Sequence, residues 1–264
     1  MALLYRASLS PSKLELLEGW APSQPWFEGD ASGHLSSVAS YRFDDPEGEV
    51  GVETLLVRAG DGPVLQVPLT YRNERLDGAD AWLMGTMQHS VLGERWTYDA
   101  TGDPVYLLTL ATAVLTGGHQ ADQFIEIDGV MTEREPTAVV SGSGSGSGGG
   151  GDSGSGSGNG NGNGGDRGDG GNGSSSGFGS SYGFGSGYGS GAAGTAIPAL
   201  PAVSSILSRN EGAVTIVDAG SLHVEVARNL SHGEALLAVG GAATLTGTWT
   251  EHPESTTLAT VRLT

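Results

Sequence analysis

The side chains that carry most enzyme chemistry are sparse in this sequence of 264 residues. It contains no cysteine, which excludes disulfides, thiolate metal sites and cysteine nucleophiles. Lys13 is the only lysine, so a lysine that binds phosphate or forms a Schiff base has a single candidate. His89 with Asp99 or Glu94 would make an acid–base pair if the fold brought them together, but no nucleophile can be named beside them. The sequence therefore predicts no catalytic residues.

Metal and cofactor chemistry is no better indicated. The six histidines show no spacing of the H-x-x-x-H kind that places two imidazoles on one metal ion. An acidic loop with Asp44, Asp45, Glu47 and Glu49 would hold calcium weakly, and a solvated hairpin turn is the preferred interpretation. We expect no metal site and no cofactor.

Aromatic side chains are the best candidates for a binding surface. Trp26 and Phe27 follow a predicted helix, and Trp96 and Tyr98 lie in a predicted strand with Asp99 beside them. Aromatic faces stack on sugar rings and anchor protein interfaces. The preferred interpretation, however, is that these residues fill a small core.

Charge and hydropathy limit the classes of partner. The formal net charge of -18 disfavours nucleic acid and anionic membranes, because phosphates would be repelled. No segment approaches the roughly eighteen apolar residues of a membrane span. The N-terminus lacks the basic and apolar regions of a secretory signal. We therefore expect a cytoplasmic protein without a nucleic-acid or membrane partner.

The first half of the sequence predicts a small α+β layer. A short helix is expected at 10–19, with Ser10 as N-cap and Pro11 as its first residue. Three strands, at 34–43, 52–58 and 64–71, are separated by turn-rich segments and look like an antiparallel meander. Pro68 removes one ladder donor, so the third strand is expected at an edge or a bulge. Further strand is predicted at 82–89 and 95–98.

A second helix is predicted at 103–115. Thr101 or Asp103 lies near its N-cap, and two glycines at 117–118 end it. We expect it to bury Val105, Leu108 and Val114 against one face of the sheet.

A low-complexity tract interrupts the sequence after this helix. Residues 141–191 are almost exclusively Gly, Ser and Asn, with too little apolar surface to offset the entropy of ordering. We assign 141–196 to a disordered linker. Four aromatics recur in the tract in a pattern typical of weak self-association, but a plain flexible linker is the preferred interpretation: Phe178, Tyr182, Phe184 and Tyr188.

The remaining segment, 197–264, is predicted to be β-rich, with no convincing helix. Strands are expected at 213–218, 222–228, 236–239, 243–249 and 257–263. An isolated sheet of this size with one apolar face is not expected to be stable alone, so it should pack on the first part. The predicted domains are thus 1–140, the linker 141–196, and 197–264.

Three short segments resemble one known family. WAPSQPWFEG at 20–29, VPLTYR at 67–72 and RWTYDA at 95–100, continued by Asp103-Pro104, resemble the N-terminal cap of actinobacterial maltokinases and glucosamine kinases. The resemblance covers roughly 16–118. It implies a cystatin-like antiparallel sheet with a packed helix, which in those kinases precedes a catalytic body that phosphorylates the sugar.

The resemblance fails where the kinase chemistry should begin. Residues 207–230 faintly resemble the first kinase hairpin of that family, but Glu225 or Val224 stands where the nucleotide-binding lysine belongs. Carbon or negative charge there opposes ATP phosphates. The resemblance therefore implies a non-catalytic cap-like protein that regulates or scaffolds a protein partner in maltose, trehalose or α-glucan metabolism. A carbohydrate-binding accessory protein is the alternative, and a residual ATP-dependent sugar kinase function is the least favoured.

Overall fold

Two six-stranded sheets, one three-stranded sheet and two helices make up the structure, a computed structural model. It describes residues 2–4, 8–32, 34–127, 130–144, 199–231 and 241–264, with backbone alone at 2–4 and 125–127. Nearly all of the Gly/Ser tract and the strand predicted at 236–239 lie outside the described residues. The helices are α1 (Lys13–Trp20) and α2 (Pro104–Thr116).

The strands are numbered in chain order. They are β1 (Ala2–Leu4), β2 (Leu9–Ser10), β3 (Leu35–Phe43), β4 (Gly51–Ala59), β5 (Val64–Arg72), β6 (Leu83–His89), β7 (Gly93–Asp99), β8 (Gln123–Ile127), β9 (Val130–Arg134), β10 (Ala138–Gly142), β11 (Ile206–Glu211), β12 (Val214–Ala219), β13 (Leu222–Ala227), β14 (Ala243–Trp249) and β15 (His252–Leu263).

The two large sheets have the same connectivity. The first runs β2-β6-β7-β5-β4-β3 and the second β10-β14-β15-β13-β12-β11, and all neighbours are antiparallel. In each sheet the first strand pairs with the fifth, and the sixth lies between the fifth and the fourth. Helix α1 connects the first two strands of the first sheet, and the Gly/Ser tract occupies that place in the second. The chain thus uses one β-topology twice.

Helix α1 begins later than the sequence predicts. Its N-cap is Ser12, whose hydroxyl accepts from the Glu15 amide while the Glu15 carboxylate accepts from the Ser12 amide. This capping box satisfies two amide groups that the first helical turn leaves free. The predicted cap, Ser10, instead lies in β2 and pairs with Gln88.

Helix α2 packs between the two large sheets. Asp103 caps it by accepting from the Val105 amide, and Gly117 ends it in the left-handed region with φ 72°. Its core cluster combines residues of both sheets with those of the helix. Examples are Tyr41 and Leu56 from the first sheet, Leu107, Leu110 and Val114 from α2, and Val217 and Leu245 from the second.

The buried face of α2 differs from the predicted one. Val114 is fully buried as expected, but Val105 and Leu108 are only partly buried, while Leu107 and Leu110 are fully buried. A helix that contacts a sheet on two sides buries most of its circumference, so one periodic stripe does not describe its core face.

The third strand of the predicted meander is not an edge strand. β5 pairs with β4 along its full length, and its other side pairs with β7 only from Leu69 onward. Pro68 therefore lies just where the pairing with β7 stops, which is how an interior strand accommodates a residue without an amide hydrogen.

The segment after the tract packs against the first part. Gln66 of β5 donates its amide to Arg228 O at 2.8 Å and its side-chain nitrogen to Ala227 O and Leu258 O at 2.9 Å. The described residues on both sides of the tract form one unit. β10 runs through Ser141 and Gly142, so regular structure extends past the predicted start of the linker. The α+β fold class is confirmed: an antiparallel sheet with a packed helix, and a further β-rich sheet.

Candidate functional site

A buried arginine joins the two large sheets. Arg228 follows β13 and its side chain is fully buried. Its Nε donates to Thr215 Oγ1 at 2.7 Å, and its Nη2 donates to both carboxylate oxygens of Asp99, at 2.7 and 2.6 Å. The guanidinium lies over the Trp26 ring, 5.0 Å from its centroid. The charge of Arg228 is thus compensated inside the protein by a carboxylate and an aromatic face.

The backbone on either side of this arginine sets its position. Leu65 of β5 forms an antiparallel bridge with Asn229, and the Asn229 side chain donates to Glu28 at 2.7 Å. These contacts hold the end of β13 against the edge of β5 that β7 leaves open. The arginine side chain is thereby directed toward the end of β7, where Asp99 lies.

Three of the five residues predicted as a binding surface are buried. Trp26 is 3% exposed, Tyr98 0% and Asp99 6%. Trp26 and Asp99 contact Arg228, and the Tyr98 hydroxyl accepts from the Leu76 amide at 2.8 Å. None of the three presents its face to a ligand from solvent.

The other two predicted surface residues are partly buried. Phe27 packs against the apolar cluster beneath α1. Trp96 lies in β7 on the same face as Tyr98 and has the Arg75 guanidinium 5.8 Å from its ring centroid. The structure therefore buries Trp26 and Asp99 against Arg228, buries Tyr98 elsewhere, and leaves Phe27 and Trp96 partly exposed.

The structure gives His89 and Asp99 different partners. His89 Nδ1 accepts from the Val91 and Leu92 amides at 3.2 and 3.1 Å, while Asp99 binds Arg228. Burial lowers the pKa of His89, and the nearby charge of Arg95 lowers it further. The imidazole thus stabilises the tight turn between β6 and β7 by accepting hydrogen bonds from its backbone amides.

The acidic loop is a turn built around one carboxylate. Asp45 accepts from the amides of Glu47, Glu49 and Val50 at 2.9–3.1 Å. Within the described part of the chain, no group of three or more His, Asp or Glu side chains is placed to share a metal ion.

The only lysine belongs to a partly buried charge cluster at one end of the first sheet. Oε2 of Glu53 lies 2.5 Å from Lys13 Nζ and 3.2 Å from Arg42 Nη2, and it accepts from the Tyr71 hydroxyl at 2.9 Å. The Lys13 ammonium also lies 5.5 Å from the Tyr71 ring centroid. We call these four residues the Glu53 cluster.

The pKa values of the two ion-pair partners in this cluster move in the same direction for different reasons. Burial opposes ionisation of Glu53, but Arg42, Lys13 and the hydrogen bonds outweigh it and lower the pKa of Glu53 to about 2. Burial also lowers the pKa of Lys13, against the effect of Glu53, and the charges of Arg42 and Arg134 add to the lowering. Burial is therefore the main reason that the pKa of Lys13 is lowered although its ammonium contacts a carboxylate.

Charged side chains also line the outer face of the second sheet. His223 Nδ1 lies 2.5 Å from Asp218 and its Nε2 lies 3.3 Å from Glu225, while Arg209 donates to Asp218 at 2.8 Å. The hydrogen bond from His223 lowers the pKa of Asp218. Glu225 belongs to this charged face, whereas Val224, the other residue that the sequence resemblance places opposite a kinase lysine, is fully buried on the opposite face. Neither position holds a cation.

A polar groove of about 700 Å³ lies beside the β4–β5 turn. Its charged or hydroxyl-bearing lining residues are Glu28, Ser36, Arg58, Asp61 and Ser231. Arg58 donates to Glu251 of the second half at 2.9 Å, so the groove is bordered by a contact between the two halves.

Most of the first sheet lies in a segment that matches a known domain family. Residues 20–103 match the family model of the maltokinase N-terminal cap domain. This segment is similar to that cap domain. The match runs from the last residue of α1 to the N-cap of α2, and so contains β3 to β7 of the cap sheet. The resemblance stated from the sequence is confirmed over this narrower range. No curated protein matches the chain.

Residues of the segments that resemble the family form hydrogen bonds inside the first sheet and to the start of α2. Arg72, from the VPLTYR segment, donates from Nε and Nη2 to the two oxygens of Asp103 at 2.7 Å, and Thr70 donates to Asp103 at 2.8 Å. The same carboxylate caps α2. Two of the segments that resemble the family, VPLTYR and Asp103-Pro104, therefore meet at one buried carboxylate, which fixes the start of the helix against the sheet.

Two of the residues that organise the molecule were not predicted from the sequence. Arg228 stands at the end of a correctly predicted strand, but nothing in its neighbourhood indicates a partner 129 positions away. Glu53 stands between Val52 and Thr54 in β4. A single carboxylate in a strand sequence indicates a position that faces solvent, but β4 is buried on both faces.

No helix among the described residues combines the length and apolar character needed to cross a membrane.

Proposed function

We propose that this chain is a non-catalytic module, related to the maltokinase cap, that binds a protein partner working on maltose, trehalose or α-glucan in the cytoplasm. The cap match at 20–103 supports the family link. The observation that carries the non-catalytic part is the chemistry of β13, where a carboxylate and a buried valine occupy the positions aligned with the nucleotide-binding lysine.

The remaining lysine offers no substitute. Phosphoryl transfer in kinases relies on a cation that neutralises the nucleotide phosphates. Lys13 lies on the first sheet, its ammonium is bound to Glu53, and burial lowers its pKa. A lysine already paired with a carboxylate is poorly suited to binding a polyphosphate.

Turnover is the first test. The intact protein is incubated with ATP and either maltose or glucosamine, and ADP release is followed. We expect no release above the buffer control, and the Lys13→Gln variant should give the same trace. Sugar-dependent ADP release that Lys13→Gln abolishes would contradict the proposal.

Partner capture tests the binding role. The intact protein and a version lacking 145–196 are used as baits in the native host, and bound proteins are identified by mass spectrometry. Asp99→Asn, which breaks the buried joint, is the matched control bait. We expect a maltose- or glucan-processing enzyme with both intact-joint baits and less of it with Asp99→Asn. Absence of any such enzyme from all baits would refute the role.

A carbohydrate-binding accessory role is the second candidate, favoured by the polar groove. Its lining supplies hydroxyl, carboxylate and guanidinium groups that pair with sugar hydroxyls. Native electrophoresis in gels containing glycogen distinguishes the two candidates. Retention of the wild type that Asp61→Ala and Ser36→Ala remove supports carbohydrate binding, whereas unchanged mobility supports the protein partner.

A further inference from the structure

Strand β9 presents an open edge with exposed apolar side chains. It is the outer strand of the small sheet, which runs β1-β8-β9. All five of its residues are exposed, with Val130 at 63% and Met131 at 45%. Its outer backbone groups make no hydrogen bond to any described residue. Unpaired edges of this kind template pairing with another chain.

The other sheet edges are short, covered or protected by charge. β2 has two residues, and Thr137 exchanges hydrogen bonds with Ser40 on the free side of β3. β10 is covered where Gly142 donates to Gly118 O and Val140 donates to the Gln120 side chain. β11 carries Arg209, which pairs with both Glu211 and Asp218. β9 is five residues long, no described segment covers its outer side, and its two charged residues, Glu133 and Arg134, stand at its last two positions.

The charge beside β9 indicates which peptide would pair with it. Arg134, the last residue of β9, lies near enough to the Glu53 cluster for its charge to lower the pKa of Lys13. Lys13 and Arg42 both contact the buried carboxylate of Glu53, and Arg134 itself is exposed. Glu133 points to the opposite face of β9, because successive side chains alternate. The face of β9 that carries Arg134 is therefore positive.

We propose that β9 binds an extended peptide segment of the partner protein, which adds to the small sheet as a fourth strand and places acidic side chains beside Arg134. Backbone hydrogen bonds to the edge supply affinity, and alternate side chains supply specificity. Val130 and Thr132 present apolar and β-branched surface to the same face of the added strand. The proposal rests on the partner-binding role and identifies its surface.

The backbone pattern of the hairpin gives a selective variant. Ile127 pairs with Val130 across two residues, and such a flanking pair is hydrogen-bonded. The amides of Met131 and Glu133 therefore point outward, and those of Thr132 and Arg134 point toward β8. Glu133→Pro removes an outward amide hydrogen and leaves the β8–β9 ladder intact, while Glu133→Gln is the matched control for charge.

The test uses the full chain and a displayed library of linear peptides long enough to span β9. We expect enriched peptides to carry Asp or Glu at alternate positions and to slow amide hydrogen exchange at Met131 and Glu133. Glu133→Pro should weaken their binding about tenfold, and Glu133→Gln should not. Arg134→Gln should weaken it about fivefold and reduce its salt dependence, whereas Arg209→Gln on β11 should change neither.

Three outcomes would overturn the proposal: no enriched peptide, enriched peptides without acidic residues, or unchanged exchange at Met131 and Glu133 in the wild-type complex. The exchange measurement stands even if Glu133→Pro is poorly folded. If Glu133→Pro still captures the partner enzyme from the host, β9 is excluded as the surface while the accessory role survives.

Discussion

Nη2 of Arg228 donates to both carboxylate oxygens of Asp99, a residue 129 positions earlier in the chain. The pair joins the end of β13 in the second sheet to the end of β7 in the cap. It is buried on both sides, with side-chain exposures of 0% and 8%. Removing one partner of such a pair leaves the other charge uncompensated in the interior.

Asp99→Asn should therefore destabilise the protein by about 3–5 kcal/mol. Urea unfolding followed by tryptophan fluorescence measures the change. Arg58→Gln, which breaks the exposed pair with Glu251 between the same two halves, is the matched control and should cost less than about 1 kcal/mol. Equal losses for the two variants would show that the joint is not the dominant charged contact.

Cleavage within the tract should leave two fragments that co-elute. β10, before the tract, pairs with β14, after it, from Ala138–Trp249 to Gly142–Leu245. Limited proteolysis followed by size-exclusion chromatography and mass spectrometry tests this. The same cleavage of Asp99→Asn should release part of the C-terminal fragment. Separate elution of the wild-type fragments would mean that the shared sheet does not hold without the covalent link.

The local sequence pattern predicted the bounds of several strands closely. The segment ATLTGTW gave the bounds of β14 to the residue, and the three strands of the cap meander lie within about one residue of their predicted limits. β14 alternates in the sequence, β4 and β5 are largely apolar runs, and turns with glycine, proline or acidic residues bound the strands. Their pairing partners are also near in sequence, so the hairpins follow from the order of the strands.

Features that depend on distant contacts were not predictable. β8 and β9 were not predicted: they form a hairpin whose first strand pairs with β1 at the start of the chain, and no local signal in the sequence indicates that distant pairing. β10 was not predicted, and its last two residues, Ser141 and Gly142, were assigned to the linker because they share the composition of the tract. The burial of Trp26 and Asp99 was not predictable either, because their shared partner, Arg228, is distant in the sequence and reaches them only in the assembled fold.

Close packing at Gly102 predicts a large effect of one methyl group. A Cβ at this position would overlap the Trp82 ring. The absence of a side chain at Gly102 therefore allows the ring to cover the turn before α2. Gly102→Ala should destabilise by about 1–3 kcal/mol or more, since overpacking forces the ring or the backbone to move. Gly19→Ala in α1 meets nothing within 4 Å and should stabilise by about 0.5–1 kcal/mol. Thermal unfolding of both variants checks the opposite signs.

The Glu53 cluster predicts loss of stability in acid. The pKa of Glu53 in the folded protein, about 2, lies below the ordinary value of 4.5. The Glu53 carboxylate therefore binds a proton less readily in the folded state than in the unfolded chain. The stability that ionised Glu53 contributes is therefore full above about pH 4.5 and is lost as the pH falls toward 2. The shift corresponds to roughly 3 kcal/mol.

Glu53→Gln should remove this part of the acid dependence, because glutamine does not titrate. The free energy of urea unfolding is measured from pH 7 to pH 2 for the wild type, for Glu53→Gln and for the exposed control Glu94→Gln. We expect the wild type and Glu94→Gln to lose stability in parallel below about pH 4.5, while the Glu53→Gln profile is lower at pH 7 and flatter below it. Parallel profiles for all three proteins would show that Glu53 is not held ionised by Lys13 and Arg42.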